Sequence, residues 1–308
     1  MQNFIGRLNA QNPCTTSDPT AIFTIFYPQP NLMFLINFIN WDVSPEIFTL
    51  GFITLRWYGL LFVMGFVVGY YIMQRIFIKE QKNIEQLDRL SIYMGIATIV
   101  GARLGHCLFY EPDYYLANPL SILKIYEGGL ASHGALVGIV LALYLYVQSV
   151  KKQGITYIWV LDRIAIPTAL AGCFIRLGNL FNSEIVGDVT TLPWAFVFER
   201  LGDNTPRHPT QIYESVSYLL IFIVLYSGYW QRGWGTYKGK LLGWFFILIF
   251  GIRAIIELVK ENQVKFEDAL PINMGQILSI PVVLIGVFLV VRSHRQQPLT
   301  SNVNQTLN

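Results

Sequence analysis

Hydrophobic positions in this chain gather into long blocks separated by short polar loops. A helix rising 1.5 Å per residue needs roughly 20 apolar residues to cross a hydrocarbon layer about 30 Å thick. Seven blocks qualify, at about 50–74, 90–110, 129–149, 157–181, 212–230, 239–259 and 273–292. The expected fold class is all-α: a polytopic integral membrane protein with about seven transmembrane helices. The third block, from Gly129 to Val150, carries no charge unless His133 is protonated; the fourth and sixth carry charges well inside the apolar run. No internal repeat or low-complexity tract interrupts the pattern.

The loops between blocks alternate in sign. Arg75, Lys79, Lys82 and Arg89 follow the first block, Lys151 and Lys152 the third, Arg232, Lys238 and Lys240 the fifth, and Arg292 and Arg295 the seventh. The other loops hold acids: Glu111, Asp113 and Glu127, then Glu184, Asp188, Glu199 and Asp203, then Glu261, Glu267 and Asp268. Basic loops stay on the cytoplasmic side, so the N-terminus is expected outside and the C-terminus in the cytoplasm. An odd number of spans agrees. Three regions follow: an N-terminal extension or interfacial segment over 1–40, a transmembrane catalytic domain over 41–295, and a cytoplasmic tail over 296–308. Residues 1–30 lack the basic and apolar regions of a signal peptide. Leu32 to Ile39 is too short to span and is expected along the outer interface. Met1 and Met33 are alternative natural starts, and a peptide recovered from upstream of Met33 would exclude the second.

Composition narrows the class. Only 13% of the residues are charged, against about 25% in an ordinary soluble domain. Mean hydropathy is +0.45 and 53% of residues are hydrophobic, so the lipid bilayer is the expected partner. Net charge is +3, too small to imply a nucleic-acid partner. The three cysteines, Cys14, Cys107 and Cys173, form no metal or disulfide pattern, and the latter two read as buried thiols.

Depth sorts the polar residues. Taking the direction of each block, Tyr58, Arg103, His106, His133, Arg176, Asn179, Asn182, Tyr213, Glu214, Arg253 and Glu257 all fall toward the outer leaflet. A charge at membrane depth costs about 2.5–3.5 kcal/mol, so three arginines and two glutamates facing lipid would cost on the order of 10 kcal/mol. They are expected to face a shared interior. Arg253 and Glu257, four residues apart, can pair on one helix face, which by itself would only brace the helix. Arg103 reads equally as a snorkelling or helix-bridging group, His106 as structural, and Asp162 with Arg163 as an interfacial pair.

An outer-leaflet cavity with several arginines suits an anion, and guanidinium groups hold phosphate in bidentate fashion. An amphiphile with an anionic head can enter such a site sideways from the bilayer. His133, flanked by Gly128, Gly129 and Gly134, offers a proton acceptor near neutral pH. The chain lacks GxSxG, HExxH, Walker-type and CxxC motifs, so neither a Ser/His/Asp hydrolase nor a zinc protease is supported, no metal or cofactor is expected, and direct transfer between two bound substrates is the expectation. An anion transporter would favour inverted repeats and polar groups across the midplane. A purely structural polar cluster is the third class, and replacing Arg176 by Ala separates the three.

Three polar strings carry the chemistry: Gly128 to Gly134, Gly172 to Gly187, and Arg207 to Glu214. With Arg56-Trp57-Tyr58-Gly59, the Arg253–Glu257 pair and Met274 to Ser279, they resemble the prolipoprotein diacylglyceryl transferase family over about residues 42–292. The string Arg176-Leu-Gly-Asn-x-x-Asn-x-Glu-x-x-Gly187 is similar to that family's signature. The resemblance implies transfer of a diacylglyceryl group from phosphatidylglycerol to the lipobox cysteine in the signal peptide of preprolipoproteins, in the bacterial inner membrane, forming a thioether and releasing glycerol phosphate. It implies Arg176 as the lipid-binding arginine, Arg253 as the group stabilising the departing phosphate, and His133 as the base for the thiol. Tyr58, Asn179 and Gly187 match positions needed for activity; Asn179, with Asn182, would orient the headgroup, and Glu184 and Glu257 the arginines. Arg207-His208-Pro209 reads as a site string or as a turn into the fifth helix. Ser183 stands where the family often has Gly, and Ala135 where a second Gly is common.

Overall fold

The computed structural model describes residues 38–51, 53–124, 128–261 and 272–296. The extension up to residue 37, with Cys14 and Met33, and the tail from 297 lie outside the described residues. In chain order come strands β1 (Ile39–Trp41), β2 (Glu46–Leu50) and β3 (Ile53–Arg56), then helices α1 (Trp57–Lys79), α2 (Ile84–Phe109) and a short α3 (Pro112–Ala117). Next are α4 (Ser132–Val150), α5 (Tyr157–Asn182), β4 (Phe196–Phe198), β5 (Pro206–Arg207), α6 (Thr210–Trp230), α7 (Lys240–Ile256) and α8 (Met274–His294). Seven of these helices, all but α3, are long and apolar enough to cross a membrane.

Two spans begin elsewhere than expected. Residues 50–56 are not helical: β2 and β3 form an antiparallel hairpin. Gly51 turns it with φ +60°, the Thr49 and Thr54 hydroxyls meet at 3.2 Å, and Trp57 N–H closes onto Pro45 O at 3.0 Å. Conversely, α2 begins at Ile84, because Asn83 caps it by accepting the Glu85 N–H at 3.0 Å, and its first turns are polar. The all-α expectation also needs amending. Besides the hairpin, β1 runs parallel to β4 and β5 antiparallel to β4. Leu180, Val186, Phe196 and Phe198 bury themselves beneath that sheet, against Trp41 and Ile212.

Helix α5 is the hub, packed on α1, α6 and α7, while α2 pairs with α4 and α7 with α8. The α2–α4 contact is backbone on backbone. A Cβ added at Gly105 would lie 2.6 Å from Gly134 Cα, and one at Gly138 would lie 2.6 Å from Ala97 O. Small residues four apart on both helices permit this approach. Outward, α4 shows Leu136, Val137, Val140, Leu141 and Leu145, an apolar exterior suited to lipid contact.

At one end of the bundle, helices α1, α5, α6 and α7 are tied by buried polar groups. Glu80 accepts from Trp159 Nε1 at 2.7 Å, from Tyr229 OH at 2.8 Å, and from Arg163 through Nε and Nη2, both at 3.0 Å. Asp162 accepts the N–H groups of Gly239 at 2.6 Å and Leu242 at 2.9 Å, capping α7. Asp162 and Arg163 were expected at an interface; they are 0% and 2% exposed, because both partners come from other helices of the bundle.

Candidate active site

The opposite end carries both sheets and the polar strings. There α2, α5 and α7 end and α1, α4, α6 and α8 begin. Helix α5 ends where Ser183 takes a left-handed conformation, φ +54°. Ile185 follows at φ +59°, an unusual backbone for a β-branched residue. Its carbonyl accepts the Thr210 hydroxyl at 2.9 Å. Gly187 then passes so close to its neighbours that a Cβ would meet Val259 O at 2.5 Å and His208 Cβ at 2.6 Å. Gly187 N–H donates to His208 O and Asp188 N–H to Val259 O, both at 3.0 Å. The signature string thus reverses direction and is stitched to the entry of α6 and the exit of α7.

This turn assembles the charges. Arg176 points its Nε at Glu214 Oε2, 2.7 Å away, with Glu214 fully buried. Arg176 Nη1 donates to Asn179 Oδ1 at 3.1 Å; Asn179 Nδ2 donates to Glu184 Oε1 at 2.7 Å, and Asn182 Nδ2 to the same oxygen at 3.1 Å. Gln211 Nε2 holds the Glu184 carbonyl at 2.7 Å. Arg253 Nε stands 4.0 Å from Glu257 Oε2. Glu257 packs its carboxylate flat on the α8 entry, where a Cβ at Gly275 would meet Oε1 and Oε2 at 2.6 Å. Its carbonyl accepts Asn273 Nδ2 at 3.0 Å. Tyr58 lies across α5 at Gly178, whose Cβ would meet the ring at 2.7 Å.

Lys260 joins the two halves. Its Nζ is 3.7 Å from Glu214 Oε1 and 3.6 Å from Glu257 Oε2. Burial pushes this ammonium below the usual lysine range, against the opposing pull of Glu214 and Glu257. Sequence reasoning passed over Lys260, although Arg253, Glu257 and Lys260 recur at the four- and three-residue spacing of one helix face. Glu214 was legible by depth and as the end of the third polar string, but its pairing to Arg176 was not.

Arg176, Asn179, Asn182, Glu184, Gly187, Arg253, Glu257 and Tyr58 therefore come together at one end. Arg103 and His106 do not join them: Arg103 leaves the interior expected to be shared by the three arginines and takes its helix-bridging reading, and His106 takes its structural one. Arg103 is spent on carbonyls: Nε to Ile122 O at 2.9 Å, Nη2 to Ser121 O at 2.7 Å, and Nη1 to Gly128 O and Gly129 O at 2.6 and 3.3 Å. It lies over the Tyr115 ring and staples the α2–α4 loop. His106 stacks on Tyr110 and approaches Glu111 at 3.7 Å. Arg207 pairs with Asp203 at 2.7 Å and Glu261 at 3.0 Å at the loop surface, so Arg207-His208-Pro209 shapes the approach to α6. Hydrogen bonds from Thr205 and Arg207 hold the Asp203 carboxyl below the usual carboxylate range.

His133 stands apart. It is exposed in the first turn of α4, on an apolar groove of about 930 Å³ between α2 and α4, lined by Ile96, Val100, Leu104, Val137 and Leu141. It makes no hydrogen bond or ion pair with another described residue. Cys107 and Cys173 are buried thiols, as expected. Among the described residues, no group of three or more His, Cys, Asp or Glu side chains could hold a metal ion.

A seven-span helical membrane protein with paired arginines and buried carboxylates gathered at one end is the class these features define. The chain belongs to the prolipoprotein diacylglyceryl transferase family, which it matches over residues 45–292. It is 49% identical over 263 residues to the phosphatidylglycerol–prolipoprotein diacylglyceryl transferase of Chloroherpeton thalassium, covering 85% of this chain and 97% of that one. It is 48% identical to the enzyme of that name from Tolumonas auensis, covering 83% and 98% of the two chains. To that of Porphyromonas gingivalis it is 44% identical, with 88% and 100% covered.

Proposed function

We propose that this protein transfers the diacylglyceryl group of phosphatidylglycerol to the lipobox cysteine in the signal peptide of preprolipoproteins. The cysteine sulfur, having lost its proton to a base, attacks the glyceryl carbon that bears the phosphate. The carbon–oxygen bond breaks, its electron pair leaves on the phosphate oxygen, and the products are a thioether and glycerol phosphate. The observation that carries this reading is the pair of arginines, Arg176 and Arg253, backed by buried Glu214 and Glu257 at one end of the bundle. Both carboxylates engage the Nε edge of their arginine. Arg253 Nη1 and Nη2 make no hydrogen bond with another described residue, which leaves them for a ligand phosphate.

Arg176 binds the lipid headgroup, with Asn179, Asn182 and Glu184 fixing its angle. Arg253, oriented by Glu257, stabilises charge on the departing phosphate. Tyr58 closes the site beside Arg176, and Gly187 provides the close backbone approach that the loop needs. His133 is assigned as base for the thiol, which requires the peptide cysteine to come to the α2–α4 side of the site.

The setting is the bacterial inner membrane, with the N-terminus outside, the site toward the outer leaflet, residues 41–295 as the catalytic domain, 1–40 as an extension and 296–308 as a cytoplasmic tail. The basic residues Lys79, Lys82, Lys151, Lys152, Arg232 and Lys240 flank the helix ends opposite the arginine site, which supports that direction. The test is thioether formation on a lipobox peptide by purified protein with phosphatidylglycerol or phosphatidylcholine. Activity is expected with phosphatidylglycerol alone, and Arg176→Ala is expected to lower it about a hundredfold with folding retained. Equal rates with both lipids, or an unimpaired Arg176→Ala protein, would overturn the reading.

A further inference from the structure

Between the two arginines lies a cation to which the reaction above assigns no role. Lys260 is 6% exposed, follows the last turn after α7, and has its backbone bridged to Gly187 of the signature loop. Its ammonium stands between Glu214 and Glu257 at 3.7 and 3.6 Å. Each of those carboxylates faces one arginine. Five charges therefore alternate in sign, from Arg176 on α5, through Glu214 on α6, Lys260 and Glu257, to Arg253 on α7. Every step is attractive, and burial weakens solvent screening of all but the last, where the Arg253 side chain is 36% exposed. Stability alone is a poor reason to bury such a series, since a well-packed apolar residue is often as stable as a buried ion pair. Geometry is the better reason. With the ammonium present, each carboxylate is shared between an arginine and Lys260. Without it, Glu214 and Glu257 would draw their arginines inward and offset the charge meant for a ligand.

We propose that Lys260 is a positioning residue for the lipid phosphate: by holding Glu214 and Glu257 between Arg176 and Arg253, it sets the two guanidinium groups to address one phosphodiester. The inference rests on the assignment of those arginines to the phosphatidylglycerol headgroup.

Lys260→Met keeps the length without the charge, Lys260→Gln keeps a donor without the charge, and Lys260→Arg keeps the charge. The full chain in lipid nanodiscs is assayed for KM and kcat toward phosphatidylglycerol, for melting temperature, and by native mass spectrometry for bound phosphatidylglycerol. The Met and Gln proteins are expected to show KM raised at least tenfold and less retained lipid, with the Arg protein within threefold of wild type. Should the Met protein fail to fold, the Gln protein carries the comparison. An unchanged KM with a lowered melting temperature, or an Arg protein as impaired as the Gln protein, would overturn the role of Lys260. A wild type that retains phosphatidylglycerol but forms no thioether would instead overturn the transferase reading, while lipid retention would still report on Lys260.

Discussion

Ser183 shows how much one residue in the signature string carries. At φ +54° it ends α5 in a conformation that costs a non-glycine residue about 1–2 kcal/mol, and its hydroxyl is buried without a hydrogen-bond partner. A family preference for Gly at this place has a physical reason here: only Gly adopts that backbone freely. Ser183→Gly is therefore expected to stabilise the protein by about 1 kcal/mol, read as a higher melting temperature at unchanged activity. The order of residues from Arg176 to Gly187 was legible as a motif. Its shape was not, because the left-handed turns at Ser183 and Ile185 are imposed by Thr210, Gln211 and the α7 exit, all far along the chain.

Among the elements, α2 and α4 depend on glycine in contact and are indifferent to it elsewhere. At Gly138 a methyl group would press on a backbone oxygen, Ala97 O, which cannot turn aside as a side chain would. At Gly95 of α2 the same methyl would meet nothing within 4 Å. The two substitutions by Ala should move stability in opposite directions. Gly138→Ala loses about 1–3 kcal/mol by overpacking. Gly95→Ala gains up to about 1 kcal/mol from helix propensity. Thermal unfolding of both proteins in one detergent checks this, and like signs would refute the contact. The long apolar blocks made the helices readable. They hid the β2–β3 hairpin, whose apolar residues continue directly into α1, and they hid the capped polar start of α2.

For the molecule as a whole, the sign of the loops and the location of the site make one joint claim about direction. In a Cys14→Ser background, Cys107 and Cys173 are buried and silent. A cysteine placed at exposed Arg200, beside β4, should react with a membrane-impermeant maleimide in intact cells, and one at exposed Lys152, after α4, should react only after lysis. The reverse pattern would invert the proposed topology and place the site at the inner leaflet.

By itself, the sequence determined the seven spans, the alternation of their flanking charges and the strings that mark the family, since all three are local properties: length, sign and order. It placed Arg103, His106, Arg176 and Arg253 at one depth and could go no further, because depth does not say which neighbours a side chain meets. Tertiary packing decided that. It turned Arg103 onto four carbonyls of its own loop, left His133 on an outer groove, and brought Glu214 and Lys260 between Arg176 and Arg253. Burying charge is costly unless it is paired, so the pairing on offer where the helices meet selected which of these residues come together.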